Sequence, residues 1–345
     1  MRVKRQLKRC VIAAGLAASG VVAGFGLMAA ARGRGAIFTL HHVRPKVAAA
    51  FAPNAHLDIT PDFLDTAILT LKRTGYRFVA LDALPALLSE PQGPPLAAFT
   101  LDDGYRDNLE HAAPVFRRHG VPYTVFVTKG FVERSHGAWW QTLDRLLSGI
   151  DHLAFDFGSG PERLELATSR GKQAAFDRLA AFVHGIDEAE AVARIDAAAR
   201  QHGIDPLALI GALTLDVEGL ARLAADPLAS LGAHTVSHRA LARLPRDEAL
   251  AEIEGSIMTV EAITGRRPTT IAYPYGDRAA AGDREAALAE EAGLSVGVLT
   301  RPGTLRLQER LTGLPRISLN GYFQSAGAVA ALASGIPFRL MGARD

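Results

Sequence analysis

Short apolar segments alternate with segments of helical periodicity along most of this chain, and this alternation restricts the fold more than any other feature. Residues 96–101 form one apolar run, while residues 109–119 have helical spacing and precede Gly120, a residue type common just beyond a helix. Strands that alternate with helices assemble into a parallel sheet covered by those helices. About seven or eight such units predict an α/β fold of the (β/α)7–8 barrel type, whose chemistry lies at the carboxyl ends of the strands.

The predicted elements begin after Gly35. Thr60 is predicted to cap the first helix, with Pro61 at its first position, and Gly265 to end the longest one. The predicted strands are residues 36–43, 77–81, 96–101, 122–128, 228–234, 270–275, 295–300 and 316–319. The predicted helices are residues 60–74, 109–119, 247–264, 283–293 and 325–334.

Residues 150–225 interrupt this alternation. Residues 151–161 have a loop-like composition, and residues 162–203 are rich in Ala, Arg and Glu with helical spacing. We interpret the segment as a helical insertion and not as a separate domain. One domain is therefore predicted over residues 36–345.

Composition excludes several classes of protein. A formal net charge of only +2 gives no support for nucleic-acid binding. The single cysteine, Cys10, excludes an internal disulfide framework and a cysteine-rich zinc site. Any metal must therefore be held by histidines and carboxylates. With 48% apolar residues, the chain has enough material for a large core.

The N-terminal segment, residues 1–35, carries five Lys or Arg before residue 10 and no charge over residues 10–31. A basic stretch before an apolar one is typical of a signal peptide or of one membrane span with the positive charge inside. Small residues weaken its insertion. An uncleaved membrane anchor is preferred, which predicts a location at the cell envelope, on the inner membrane, over the cytoplasm. A helix packed on the domain is the alternative.

An acidic pair ends the apolar run at residues 96–101. Asp102 and Asp103 are followed by Gly104, which is also ordinary turn chemistry. Adjacent residues that leave a strand point to different sides, so one carboxylate can bind a metal while the other faces a water molecule. Without further evidence the turn is the better interpretation.

His234 and His238 lie at the end of another predicted strand. Their four-residue spacing predicts that both imidazoles lie on one side of a helical turn. Two histidines and one carboxylate leave open positions on a divalent metal, as catalytic metal sites require. A surface pair near a helix start is the alternative, since this spacing is easily met by chance.

Tyr275 belongs to the segment Ala-Tyr-Pro-Tyr-Gly-Asp at residues 272–277. A proline and a glycine at this spacing are typical of a strand that runs into a turn. The functional alternative is that this segment forms a rigid side of an active site and presents a backbone N–H to an oxyanion. Because all three motifs end predicted strands, a barrel would bring them to one mouth.

Together these motifs resemble the polysaccharide deacetylase family, carbohydrate esterase family 4, which includes the chitooligosaccharide deacetylases. Residues 100–104 are similar to its Thr-Phe-Asp-Asp-Gly motif, with Leu101 in place of Phe. Residues 234–238 are similar to His-Ser/Thr-x-x-His, and residues 272–276 to Arg-x-Pro-Tyr-Gly. The resemblance covers roughly residues 36–320. It implies a distorted barrel of the polysaccharide deacetylase type.

The resemblance also implies a role for each matched residue. Asp102 would be the general base, and Asp103, His234 and His238 would hold a divalent metal, usually zinc in this family. The backbone N–H of Tyr275 would stabilise the oxyanion. The substrate would be an acetylated amino-sugar oligomer or polysaccharide.

Two departures from the family pattern concern catalysis. Ala272 stands where the family has an Arg that orients the base, and no His follows His238 to act as the late general acid. His41 is the candidate replacement acid, because some members carry this His on an N-terminal strand; His42 is the second choice. Arg316 is a candidate for the missing Arg, with a structural ion pair as the alternative.

The predicted function is metal-dependent hydrolysis of N-acetyl groups on a saccharide, with O-acetyl groups as the alternative substrate. Two alternatives are a carbohydrate-binding barrel with reduced or lost catalysis and a metal-dependent amidase on a non-sugar substrate. Trp139 and Trp140 are predicted to stack on a sugar ring, with core packing at the base of the insertion as the alternative for one of them. Contact with a membrane is expected only through residues 10–31.

Overall fold

The computed structural model describes residues 31–90 and 93–340. Its strands and helices alternate as predicted. The strands are β1 Gly35–Leu40, β2 His42–Val43, β3 Asp58–Ile59, β4 Arg77–Phe78, β5 Leu96–Leu101, β6 Tyr123–Val127, β7 His152–Asp156, β8 Pro161–Glu165, β9 Ala229–Ala233, β10 Thr270–Ala272, β11 Val296–Val298 and β12 Ile317–Ser318. The α-helices are α1 Pro61–Arg73, α2 Leu84–Ser89, α3 Ala113–His119, α4 Lys129–Val132, α5 Trp139–Gly149, α6 Ser169–Gly185, α7 Glu188–Gln201, α8 Pro206–Leu213, α9 Val217–Ala224, α10 Arg246–Thr264, α11 Asp283–Glu291, α12 Ala326–Ala333 and α13 Ile336–Leu340. A π-helical stretch, Asn108–Ala112, precedes α3.

Within the described residues, eight strands form one parallel sheet in the order β11-β10-β9-β6-β5-β1-β12, with β4 paired to β5. The sheet curls toward closure. Backbone bonds join Leu314 to Gly297 and Leu299, on and beside β11, and the chain then continues into β12 beside β1. The predicted barrel-type α/β fold is therefore confirmed.

Alternating side chains along the central strands fill two layers. Phe38, Phe99 and Tyr123 face outward and pack under α1, α3 and α12. Residues such as Ile37 and Phe126 face the interior of the curled sheet. Because both faces are covered, β1, β5 and β6 are buried along their whole length. Each fully buried side chain of this size stabilises the fold by about 1.5–3 kcal/mol.

Helix ends follow the sequence signals closely. The hydroxyl of Thr60 accepts a hydrogen bond from the Phe63 N–H, which caps α1 directly before Pro61. Gly120 and Gly265 end α3 and α10 in the left-handed conformation that glycine adopts without steric cost. These predictions were local, and the structure confirms them.

Two local predictions were wrong. The loop predicted at residues 151–161 is largely a β-hairpin of β7 and β8, in which Leu153 and Phe155 are buried. The Gly- and Asp-rich composition there belongs to the hairpin turn, where Asp156 accepts backbone N–H groups. The strand predicted over residues 36–43 is split at His41, because β2 pairs with β3 in a separate two-stranded sheet.

The segment around residues 139–210 has a hydrophobic cluster of its own, formed by α5, the hairpin, α6, α7 and α8. Leu146, Leu179 and Ile195 are fully buried within it. The predicted domain limits, with an insertion at about 150–225, remain a prediction. Apart from Ala31, the apolar segment 10–31 lies outside the described residues, and the helices within them are all too short or too polar to cross a membrane.

Candidate active site and metal centre

Polar side chains from distant parts of the sequence meet at one edge of the sheet. Asp102 and Asp103 follow β5, His234 follows β9, and His41 lies between β1 and β2. Because these strands are parallel neighbours, their carboxyl ends lie side by side. The structure thus brings together the residues that the sequence singled out.

Asp103, His234 and His238 form a buried cluster with the spacing of metal ligands. The Asp103 Oδ1 atom lies 3.4 Å from His234 Nε2 and 3.3 Å from His238 Nε2, and the three ligand atoms lie within 4.8 Å of one another. Two ligands at tetrahedral angles on a cation such as Zn²⁺ are about 3.3–3.5 Å apart. The donor set and its spacing therefore fit a divalent metal.

The electrostatics of Asp103 agree with a ligand role. Its Oδ1 atom is buried and makes no hydrogen bond of ordinary geometry with the described residues. Burial raises the pKa of the Asp103 carboxyl, but the imidazoles of His234 and His238 outweigh burial and hold that pKa well below its usual range. The carboxylate is thus ionised, and its Oδ1 atom makes no competing hydrogen bond within the described part of the chain, as expected of a metal ligand.

The two histidines do not lie on a helical turn, and that expectation was wrong. Residues 234–238 form an irregular loop in which Thr235 and His238 have φ angles of 64° and 60°. Asp103, at φ 71°, shares this left-handed conformation, which costs a non-glycine residue on the order of 1 kcal/mol. Surrounding contacts must therefore hold the ligands in place.

Glu252 on α10 holds the loop of residues 234–238 in place. Its buried carboxylate accepts hydrogen bonds from the N–H groups of Val236 and Ser237, both at 2.8 Å, and from the Ser237 hydroxyl at 2.6 Å. His234 is oriented separately, since its Nδ1–H donates to the Ala272 carbonyl at 2.7 Å and leaves Nε2 facing Asp103. Sequence patterns could not identify Glu252, because its partners lie about 15 residues away along the chain.

Replacing Glu252 by Gln is expected to weaken metal binding by about 10- to 100-fold, the usual effect of removing a group that supports metal ligands. The amide loses one acceptor and presents an NH₂ group to the backbone N–H groups that the carboxylate now satisfies. A competition titration with a chromogenic chelator measures the change. Glu254→Gln, an exposed residue on the same helix, is the control. Equal affinity in both variants would contradict the assignment.

Asp102 is paired with Arg316 in a buried bidentate ion pair. Both oxygens of Asp102 lie 2.7 Å from guanidinium nitrogens of Arg316, which is only 1% exposed. Arg316 also donates to Thr100 Oγ1 and to the Leu299 carbonyl. Burial raises the pKa of Asp102, but Arg316, together with the imidazoles of His234 and His41, lowers that pKa below its ordinary value. An ion pair of Arg316 is thus present, and its partner is the candidate base Asp102.

The two adjacent histidines have different environments. His41 is partly exposed, with Nε2 3.9 Å from Asp102 Oδ2. His42 is fully buried; its Nδ1 lies 2.6 Å from Asp107 Oδ2, and its ring stacks on Tyr105. Burial lowers the pKa of His41 against the opposing effect of Asp102. Of the two, His41 has the access to solvent and to Asp102 that a proton donor needs.

Tyr275 sits in a strained turn beside the metal ligands. Its φ angle is 59°, and its ring lies 5.2 Å from that of His238. Its N–H makes no hydrogen bond within the described residues. Its hydroxyl donates to Glu188 Oε1 at 2.6 Å and accepts from Trp139 Nε1 at 2.8 Å. Burial raises the pKa of Tyr275 well above its ordinary value, so the hydroxyl stays protonated as a donor to Glu188.

The tryptophan pair is mainly packed. Trp139 and Trp140 are 7% and 8% exposed at the start of α5. Trp140 Nε1 donates to the Tyr105 hydroxyl, and its ring lies 4.7 Å from that of His238. Packing in the core therefore accounts for most of each side chain, and the small exposed part lines the space beside the proposed metal centre.

The sequence profile of the polysaccharide deacetylase family matches residues 89–167 and 190–297, more than half of the chain. The chain belongs to the polysaccharide deacetylase family. The predictions of this family and of a deacetylase of the hydrolase class are thus confirmed. The stretch between the two matched parts contains α6 and ends just after Glu188.

Solved structures agree on the fold. The deacetylase PplD from Streptococcus pyogenes is 18% identical, with 83% of this chain and 92% of that chain covered at a TM-score of 0.55. IcaB from Ammonifex degensii is 16% identical, with 88% and 98% covered at a TM-score of 0.52. At these identities the likeness concerns the fold alone. No curated protein matches the chain by sequence.

Proposed function

We propose that this polysaccharide deacetylase removes N-acetyl groups from an amino-sugar oligomer or polysaccharide and releases acetate. One observation carries the proposal: a three-ligand cluster of Asp103, His234 and His238 lies beside a carboxylate that Arg316 keeps ionised. A metal-dependent hydrolytic site needs both a place for a cation and a base beside it. O-acetyl groups are the alternative substrate.

Asp103, His234 and His238 would hold the divalent metal. When bound, such a metal supplies Lewis-acid chemistry that lowers the pKa of water and polarises an acyl carbonyl. Zinc is the proposed metal, because two imidazoles and one carboxylate are a frequent zinc ligand set that leaves a position open. Cobalt, nickel or iron would accept the same ligands.

Residues of the chain itself carry out the proton transfers. Asp102 accepts a proton as water adds to the acetyl carbon, and Arg316 holds the carboxylate in position. The N–H of Tyr275 donates to the oxyanion of the tetrahedral intermediate. His41 donates a proton to the departing nitrogen as the C–N bond breaks, so that a neutral amine leaves. Acetate and a free amino sugar result.

The alternative of a sugar-binding barrel without turnover depended on the missing motif Arg and the missing late His. Arg316 bonds Asp102, which supports it as the group that orients the base. His41 lies 3.9 Å from Asp102, which supports it as the general acid. The test is acetate release from N-acetylated chitooligosaccharides with and without a chelator. Activity that the chelator abolishes and Zn²⁺ restores supports the proposal. Binding of the oligomer without acetate release favours the barrel that has lost catalysis, and activity only on non-sugar amides favours the amidase.

His41→Ala is expected to lower kcat by about 10²–10⁴-fold, the usual contribution of a positioned acid. Since burial lowers the pKa of His41 from 6.5, its protonated form declines as pH rises through a value below 6.5. Wild-type kcat/KM should therefore fall on the alkaline side of that value, and this limb should disappear in the variant. His202→Ala, exposed on the insertion, is the control. Unchanged turnover in His41→Ala removes the assignment.

Attachment to a membrane through residues 10–31 is a separate proposal. It is supported by the five basic residues before residue 10 and the uncharged stretch after them. Membrane fractionation of the full chain, beside a variant that begins at residue 32, tests it. Recovery of both in the soluble fraction would contradict an anchor.

A further inference from the structure

A cavity of about 360 Å³ lies between the insertion and the metal centre. Helix α7, the two tryptophans at the start of α5 and the loop after β9 form its walls. His238 belongs to both the cavity wall and the proposed metal site. The volume is within the range of small-ligand pockets, and the shared histidine places the cavity beside the reaction centre.

Asp196 on α7 lines this cavity, and its carboxylate is incompletely paired. The residue is 8% exposed, and its Oδ1 atom is buried with no hydrogen-bond partner. The other oxygen lies 3.9 Å from a guanidinium nitrogen of Arg200, whose side chain is half exposed. An incompletely paired carboxylate at this depth is unfavourable, and burial raises the pKa of Asp196 to about 6. A donor supplied by a ligand would relieve this cost.

Most other polar groups of the cavity wall are already engaged. Glu188 bonds the Tyr275 hydroxyl and the Ala240 N–H, while Arg239 is held by Glu248 and Glu252. Both indole N–H groups donate to tyrosine hydroxyls. Among the described residues of the wall, the buried side-chain atoms without a partner are Asp196 Oδ1 and His238 Nδ1. Among the carboxylates of the wall, Asp196 is therefore the one whose hydrogen-bonding capacity is left for a ligand.

We infer that this cavity is a subsite for a sugar unit that carries a free amine, and that Asp196 accepts a hydrogen bond from its ammonium group. The inference rests on the proposed function, because deacetylation produces this cationic unit next to acetylated ones on the same polymer. Val192, Leu207 and the tryptophans supply apolar surface for the sugar ring. An ammonium ion satisfies the buried carboxylate in both charge and hydrogen bonding.

The test compares two substrates with the metal-loaded full chain. One is a fully N-acetylated chitohexaose, and the other is the same oligomer with one unit deacetylated. The wild type is expected to show a kcat/KM about tenfold higher for the partly deacetylated oligomer, the effect of one charge-assisted hydrogen bond. Asp196→Asn should abolish this preference. Glu190→Gln, an exposed acid on the same helix, should retain it.

The outcomes separate the subsite from the reaction itself. Hydrolysis of 4-nitrophenyl acetate, which is too small to need the cavity, should be equal in the wild type and Asp196→Asn and so reports an intact metal centre. Acetate release without any preference in the wild type overturns the subsite alone. A loss in Asp196→Asn that is equal for both oligomers also overturns it. No acetate release from any saccharide overturns the proposed function.

Discussion

Asp102→Asn is expected to lower kcat by about 10²–10⁴-fold while the protein retains its metal. The amide has nearly the shape of the carboxylate but cannot accept the proton of the attacking water. The metal should stay because its proposed ligands, Asp103, His234 and His238, are unchanged. Acetate release measures the rate, and elemental analysis of the purified protein measures the metal. Asp82→Asn, at an exposed position, is the matched control.

Asp103→Asn should behave differently, although the two aspartates are neighbours. The amide oxygen is a much weaker ligand than a carboxylate, so this variant should lose the metal and, with it, the activity. If Asp102→Asn loses the metal and Asp103→Asn keeps it, the two roles must be exchanged. The pair of variants thus separates base from ligand.

Arg316→Met is expected to destabilise the fold by about 3–5 kcal/mol at neutral pH. The substitution removes the partner of a buried carboxylate whose two oxygens now lie 2.7 Å from the guanidinium. Since Arg316 lowers the pKa of Asp102 in the folded protein, the ion pair contributes its full stability above the ordinary aspartate pKa. This contribution is lost as pH falls through the lowered pKa. Urea denaturation at several pH values measures it.

The pH dependence identifies the cause of this loss. In Arg316→Met the buried Asp102 has no partner, so its pKa should rise and the carboxyl should become neutral on mild acidification. The difference in stability between wild type and variant is therefore largest at neutral pH and narrows toward acid. The double variant Arg316→Met with Asp102→Asn should recover most of the stability but not the activity. A loss below about 1 kcal/mol in the single variant would contradict a buried pair of this kind.

Local sequence patterns were sufficient for the fold and for the candidate residues at the sheet edge, while the choice of Asp103, His234 and His238 as metal ligands came from the family resemblance. Thr60, Gly120 and Gly265 mark helix ends, and the structure has them there. The motif residues could be assigned to one edge because each followed an apolar strand segment. Parallel strands bring their carboxyl ends together whatever the loops between them contain.

The structural predictions were wrong where a local sequence pattern is compatible with two conformations. The four-residue spacing of His234 and His238 is equally compatible with a helical turn and with the irregular loop that is present. Spacing alone does not reveal that Thr235 and His238 adopt positive φ angles. The turn residues of the hairpin of β7 and β8 predict a loop. They are a stronger sequence signal than the alternation of Leu153 and Phe155.

By itself, the sequence determined the parallel α/β architecture, the helix ends and the residues that gather at the barrel mouth, because these depend on local periodicity and capping. Only the tertiary structure decided which groups support them. Arg316 pairs with Asp102 across 214 residues of chain, and Glu188 reaches Tyr275 across 87. Such contacts depend on how distant elements pack, and a buried charge acquires its partner only when that packing removes water from both.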